Sequence, residues 1–219
     1  MSFLSTILNI VFPIYCISCK KSGESLCIEC LSSSPPAERE SANWIFPLFD
    51  YRHPLVKKAV WLLKYKNKKP LAGIFAEVMY GRILEELSDL STMENFIEPI
   101  LLPIPLSSKR YRERGFNQAE LICKELMKIS DLRYGVDMKL EKDVLIKIKD
   151  TSHQAHIENR SERLRNVVGS FAVKNNERIK RKNIILIDDV TTTGATLAEA
   201  KKILKQAGAR KIIAFTIAH

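Results

Sequence analysis

The apolar positions of this chain fall into two kinds of run. Ile100-Leu101-Leu102, Ile184-Ile185-Leu186-Ile187 and Ile212-Ile213-Ala214-Phe215 are short and continuously apolar. A strand without polar alternation is covered on both faces, as in a parallel sheet. Between these runs the apolar residues recur at helical spacing. Leu55, Val56, Ala59, Val60, Leu62 and Leu63 follow Pro54, and Leu71, Ile74, Phe75, Val78, Met79, Ile83, Leu84 and Leu87 follow Pro70. Proline suits the first turn of a helix. Further helices are predicted from about Asn117 to Ile129 and from Leu197 to Ala207, the second stopped by Gly208. Trp44 to Tyr51 reads as a strand or its approach. Val144 to Lys149 alternates apolar and basic, which predicts a half-exposed strand. Alternating strand and helix predicts an α/β fold, a parallel sheet with helices on both faces.

The first forty residues read differently. Ser32-Ser33-Ser34-Pro35-Pro36 and the polar residues up to Asn43 form a linker by composition. It divides a small unit, residues 1–43, from a large one, residues 44–219. Phe3, Leu4, Ile7, Leu8, Val11 and Phe12 predict a short amphipathic helix packed on the protein. This stretch lacks the basic region of a signal sequence. No apolar run approaches the ~20 residues that a membrane span needs.

Charge separates the same two parts. The net charge is +10, and the first fifty residues hold three basic and five acidic side chains, leaving 32 and 20 for the rest. The large unit therefore favours anionic partners, whether phosphates, pyrophosphate or nucleic acid. No GxxxxGK[ST] string is present, which argues against an ATPase.

The strongest local signal is the stretch from Asn183 to Thr196. An apolar strand ends in two carboxylates, a Thr/Gly run follows, and a helix begins. In a parallel sheet, ligands bind beyond the carboxyl ends of the strands. Backbone N–H groups at a helix start bind an anion. Thr191, Thr192, Thr193 and Thr196 add hydroxyls, and Gly194 lets the backbone close around a phosphate. Asp188 and Asp189 would repel a phosphate, but they suit ribose hydroxyls, Mg²⁺ or a positively charged sugar ring.

The cysteines carry a second signal. Cys16-x2-Cys19 and Cys27-x2-Cys30 are two thiolate pairs, and Gly23 lies in the seven-residue gap between them. A tetrahedral site of four cysteines is what Zn²⁺ prefers, and four protein ligands make the role structural. An iron–sulfur cluster or redox pairs are the alternatives. Cys123 sits among apolar residues at helical spacing, as a core thiol. The pattern fits a reducing, cytoplasmic setting better than a disulfide framework.

Ile184 to Thr196 resembles the phosphoribosyl-pyrophosphate (PRPP) motif of type I phosphoribosyltransferases: four apolar residues, two acidic ones, then the Thr/Gly loop. That resemblance implies that Asp188 and Asp189 hold the ribose and act in catalysis. It implies a PRPP or nucleoside monophosphate site over Asp188, Asp189, Val190, Thr191, Thr192, Thr193, Gly194, Ala195 and Thr196, with Mg²⁺. Pyrophosphate needs basic side chains, and the candidates to hold it or another anion are Lys64, Tyr65, Lys66, Arg110 and Arg114. A loop that closes over the site is expected from Asp150 to Arg165, where His153 and His156 lie.

Other strings resemble one family, the competence protein ComF family, which joins a zinc module to a phosphoribosyltransferase domain. They are Lys64-Tyr65, Pro103-Ile104-Pro105 with the downstream Arg114-Gly115-Phe116-Asn117-Gln118, and Gln154, Arg163, Asn166 and Gly169-Ser170-Phe171. The resemblance implies a type I phosphoribosyltransferase-like parallel sheet flanked by helices, with a small N-terminal zinc ribbon built on the four cysteines. It also implies a cytoplasmic role in natural transformation, with single-stranded DNA and a competence helicase or other DNA-uptake proteins as partners. Two readings follow. One is an enzyme moving phosphoribose to an unnamed nitrogen acceptor. The other is a non-catalytic single-stranded-DNA-binding or interaction protein, because a basic domain with a zinc ribbon suits single strands.

Overall fold

The structure is a computed structural model and describes residues 13–38, 42–133, 135–150 and 166–219. The N-terminal helix expected at Phe3 to Phe12, and the closing loop with His153, Gln154, His156 and Arg163, lie outside the described residues.

The described elements run in chain order as α1 (Ile28–Ser32), β1 (Ile45–Phe49), α2 (Pro54–Tyr65), α3 (Leu71–Glu94), β2 (Ile100–Pro103), α4 (Ser108–Arg114) and α5 (Gln118–Leu132). Then come β3 (Lys139–Leu140), β4 (Leu145–Lys147), β5 (Phe171–Val173), β6 (Ile184–Val190), α6 (Ala195–Gln206) and β7 (Ile212–Ala218). Five strands form one sheet in the order β1-β7-β6-β2-β3, and every pairing in it is parallel. The three continuously apolar runs are thus its three central strands. Their alternate residues feed two cores. Ile185, Ile187, Ile213 and Phe215 pack with α2, α3 and α5, whereas Ile184, Leu186, Ile212 and Ala214 pack with Leu197, Ala200 and Leu204 of α6. Helices therefore cover both faces, as the alternation predicts.

β4 and β5 leave this sheet and pair antiparallel with each other. Leu145 and Phe171 anchor this ribbon in the α6-side core. A further hydrogen bond, from the Gly169 N–H to the Glu199 carboxylate of α6 at 2.8 Å, fixes its approach.

The linker is not a free tether. Pro36 bridges to Phe49, the Ala37 N–H donates to the Leu48 carbonyl, and the Asp50 N–H donates to the Pro35 carbonyl. These contacts cover the outer edge of β1, the strand that carries Pro47. An edge strand tolerates a proline, and covering it removes a pairing surface. The cysteine module also joins the larger core: Cys16, Leu26, Cys27 and Leu31 are buried in the cluster that holds Leu71 and Phe75 of α3. Cys123 is fully buried on α5, as its spacing predicts, and burial pushes its thiol well above the ordinary range. Among the described residues no helix is long and apolar enough to cross a membrane.

Candidate active site

β6 positions the two carboxylates. Asp188 and Asp189 are its fifth and sixth residues, the first two after the buried run. Successive side chains point to opposite faces of a strand, so the pair diverges. Asp189 forms an ion pair with Lys64 at the end of α2, Nζ to Oδ1 2.7 Å, with both side chains mostly buried. Asp188 Oδ1 accepts from the Asp189 N–H at 2.8 Å. Burial, reinforced by the neighbouring Asp189 charge, pushes the Asp188 carboxyl up to about 7.

After Val190 the chain turns through Thr191 to Gly194. The Thr191 N–H donates to the Ala218 carbonyl, tying the loop to the end of β7. A contact between the His219 ring Nε2 and the Thr192 carbonyl at 2.7 Å holds the other side. Thr193 Oγ1 accepts from the Ala195 N–H at 3.4 Å. Gly194, with φ +72°, is the N-cap of α6. A Cβ at this position would also meet Ile45 Cδ1 at 3.3 Å, so both conformation and space call for glycine. The result is a small cradle lined by the turn and by the first residues of α6.

Above the carboxyl edge lies a cavity of about 250 Å³. Lys64 and Tyr65, Arg110 and Arg114, Asp188 and Asp189, and Thr192 and Thr196 all line it. Three segments far apart in the sequence thus converge. Arg110 and Arg114 are four residues apart on α4 and share a face. Arg114 is held twice. Its guanidinium donates to Gln118 Oε1 at 3.0 Å and lies 5.1 Å from the centre of the Tyr65 ring. Asn117 caps α5, accepting from the Ala119 N–H, and donates to the Ile104 carbonyl at 2.9 Å. The Arg-Gly-Phe-Asn-Gln string therefore orients one cation and pins the Pro-Ile-Pro segment beside it. Lys66 differs from the other basic candidates. Its Nζ lies 5.2 Å over the Trp61 ring, and it does not line the cavity.

The sequence reading assigned no site role to several lining residues. Tyr51, Trp61, Ile104, Pro105, Leu106 and Lys147 complete the wall. Lys147 belongs to β4, in a stretch whose alternation predicted a strand but could not say what it faces. A second hollow of about 450 Å³ opens beyond Lys64, Tyr65, Arg110 and Arg114 and adds Lys69 and Phe116.

The four cysteine sulfurs lie within 4.8 Å of one another. Cys27 Sγ is 3.7 Å from Cys16 Sγ and 3.6 Å from Cys19 Sγ. A zinc ion with bonds of ~2.3 Å sets its four sulfurs about 3.8 Å apart, so the set fits that metal. Gly23, with φ +109°, makes the turn in the gap. The second pair is helical: Cys27 is the N-cap of α1 and Cys30 lies within it. Burial opposes ionisation of Cys16, but the N–H groups of Cys27 and Ser18, each 3.5 Å from its sulfur, help bring the thiol down to about 6.

Comparison with known proteins agrees with this geometry. The phosphoribosyl transferase domain family matches residues 116–219. The DNA utilization protein YhgH of Salmonella typhimurium is 27% identical over 186 residues, which is 85% of this chain and 74% of that protein. The competence protein ComFC of Streptococcus pneumoniae is 36% identical over 125 residues, 57% of this chain and 50% of that one. Competence protein F of Haemophilus influenzae is 32% identical over 151 residues, 68% of this chain and 61% of that one. The chain belongs to the ComF family. Its larger part is a phosphoribosyltransferase-type parallel sheet, and its four N-terminal cysteines form a metal-type cluster. Among solved structures, a hypoxanthine phosphoribosyltransferase from Staphylococcus aureus is 13% identical, with a TM-score of 0.34 over 64% of this ComF-family chain and 62% of that chain.

Proposed function

We propose that this ComF-family protein binds PRPP with Mg²⁺ in the cavity at the carboxyl edge of the sheet and transfers its phosphoribosyl group to a nitrogen acceptor. One observation carries the reading: the carboxylates and the cations Lys64, Arg110 and Arg114 line one cavity, and Thr192 and Thr196 join that cavity to the Thr/Gly cradle. PRPP has the matching order of groups. Its 5′-phosphate suits the cradle from Thr191 to Thr196, its ribose suits Asp188 and Asp189, and its pyrophosphate suits the three cations. Asp188 and Asp189 would hold Mg²⁺ together with the ribose hydroxyls. When bound, the metal neutralises charge on the leaving pyrophosphate.

In the transfer, the acceptor nitrogen forms a bond to C1 of the ribose. The C1–O bond breaks, pyrophosphate departs with the electron pair, and the nitrogen sheds its proton. The carboxylates stabilise the positive charge that develops on the ring. An Asp188 carboxyl at about 7 can take up a proton at neutral pH. The names of the curated relatives, competence and DNA utilization proteins, support a role in DNA uptake, with single-stranded DNA and DNA-uptake proteins as partners in the cytoplasm. The cysteine cluster supports a structural zinc.

Titration calorimetry with PRPP, with and without Mg²⁺, tests the site. Wild-type protein should bind, and Thr192→Leu should lose roughly tenfold to a hundredfold in affinity by filling the phosphate position. Mass spectrometry should then detect pyrophosphate against a panel of bases and amines. No binding at millimolar PRPP with Mg²⁺ would sink the proposal.

A further inference from the structure

The three hollows at the carboxyl edge form an ordered path. The cradle shares Asp188, Val190, Thr192 and Thr196 with the main cavity. The main cavity shares Lys64, Tyr65, Arg110 and Arg114 with the second hollow. The cradle and the second hollow share no residue. On the reading proposed above, which this inference rests on, phosphate occupies one end and pyrophosphate the other. The lining that belongs to neither end is Tyr51, Trp61, Ile104, Pro105, Leu106 and Lys147, apart from the ribose carboxylate Asp189. That wall is what remains for the acceptor.

Its composition is selective. Two aromatic rings and the Ile-Pro-Leu segment make it apolar and flat-sided, with Trp61 45% exposed. Such surfaces take planar rings. Among the described residues this wall holds one cation. Lys147 Nζ lies 5.3 Å from the centre of the Phe171 ring, which fixes the amine over the ribbon. Among the described residues it has no salt bridge, although Asp188 and Asp150 act on it from a distance and Arg110 repels it. A half-buried cation without a close counter-ion is an unfavourable arrangement that an arriving anion relieves. The cations that suit pyrophosphate sit on α2 and α4, whereas Lys147 sits on the β4–β5 ribbon.

We propose that the acceptor is a planar nitrogen heterocycle bearing a carboxylate or another ionised oxygen, and that Lys147 selects it by pairing with that oxygen. The pairing is a charge-assisted hydrogen bond of the kind that separates anionic from neutral ligands of equal shape. A neutral purine or pyrimidine would occupy the apolar wall but leave Lys147 desolvated and unmatched.

Binding of orotate, nicotinate and quinolinate should be compared with that of adenine, cytosine and hypoxanthine, using the zinc-loaded full chain with and without Mg²⁺ and PRPP. The carboxylated probes should bind roughly tenfold to a hundredfold tighter than the neutral ones. Lys147→Met keeps the apolar stem over Phe171 and should erase that preference while leaving PRPP affinity within about twofold. Lys147→Arg should keep part of the preference. Equal or tighter binding of the neutral probes overturns the proposal. So does a Lys147→Met protein that loses PRPP affinity instead, since Lys147 would then serve pyrophosphate. Failure of PRPP to bind refutes the reading of the cradle, whereas the probe preference measured without PRPP still decides the role of Lys147.

Discussion

The cysteine module and the carboxyl edge of the sheet are both clusters of ionisable groups, and they solve opposite problems. The four sulfurs converge on one another within 4.8 Å. Backbone N–H groups support Cys16, and Leu26 and Leu31 seal the module against α3. Such a site is closed: four ligands satisfy a zinc ion and leave no position for a substrate. The carboxyl edge stays open and unsatisfied. Lys64 and Asp189 neutralise each other, Asp188 is held away from its ordinary ionisation, and Lys147 makes no salt bridge among the described residues. A structural cluster completes itself with metal, whereas a ligand site keeps charges that only a ligand can match.

Three experiments test this contrast, the first with the largest expected effect. Cys27→Ser should release zinc and lower the midpoint of thermal unfolding of the whole chain by roughly 10 °C, equivalent to about 3 kcal/mol. The expectation rests on Cys16, Cys27 and Leu31 sharing one core with Phe75. Elemental analysis with differential scanning calorimetry reads both quantities. An unshifted main transition would mean that the module is independent of the sheet.

The second concerns Asp188. Its folded value of about 7 lies above its unfolded value near ~4. Below pH 4 both states hold the proton, and between pH 4 and 7 the unfolded state releases it first. Wild-type stability should therefore fall across that window and stay reduced above pH 7. Asp188→Asn removes the effect and keeps an oxygen for the Asp189 N–H. The variant should match wild type at pH 4 and exceed it by about 2 kcal/mol at pH 8, a value discounted for partial exposure. Urea unfolding midpoints at the two pH values decide it, and a variant less stable at pH 8 refutes it.

The smallest effect separates two neighbouring lysines. Lys64→Met should cost about 1 kcal/mol of stability, because Asp189 loses its partner, and should weaken PRPP binding. Lys66→Met should change PRPP affinity by less than about twofold, since that side chain lies over Trp61 at the surface. Equal losses from both would erase the distinction between lining and flanking charge.

Much of this contrast is legible in the chain itself. β2, β6 and β7 are visible because strands buried on both faces need unbroken apolar runs. The Thr/Gly turn and the cysteine pairs are visible because local backbone geometry and metal ligation constrain nearby residues. What stays hidden is non-local or short. β3 and β5 have two and three residues, too few for a period. α4 shows no apolar period, because no residue of Ser108–Arg114 is buried. Its signals are the caps instead: Ser107 Oγ accepts from the Arg110 N–H, and Gly115 adopts φ +76°. Lys147 reaches the cavity only because β5 anchors β4 on α6, a tertiary fact that no local pattern carries. The pinning of the linker to β1 is likewise invisible, since a Ser/Pro stretch reads the same whether tethered or free.

The chain holds two tryptophans, and the fold assigns them different surroundings. Trp61 is a wall of the cavity, between Lys66 and Tyr65. Trp44 lies under Lys201 of α6, whose Nζ is 3.8 Å from its ring centre, and packs on the core away from the cavity. The protein thereby contains its own pair of optical reporters. Emission from Trp61 responds to occupancy of the wall, and emission from Trp44 to the integrity of the sheet, so a Trp44→Phe chain reads ligand arrival without an added dye.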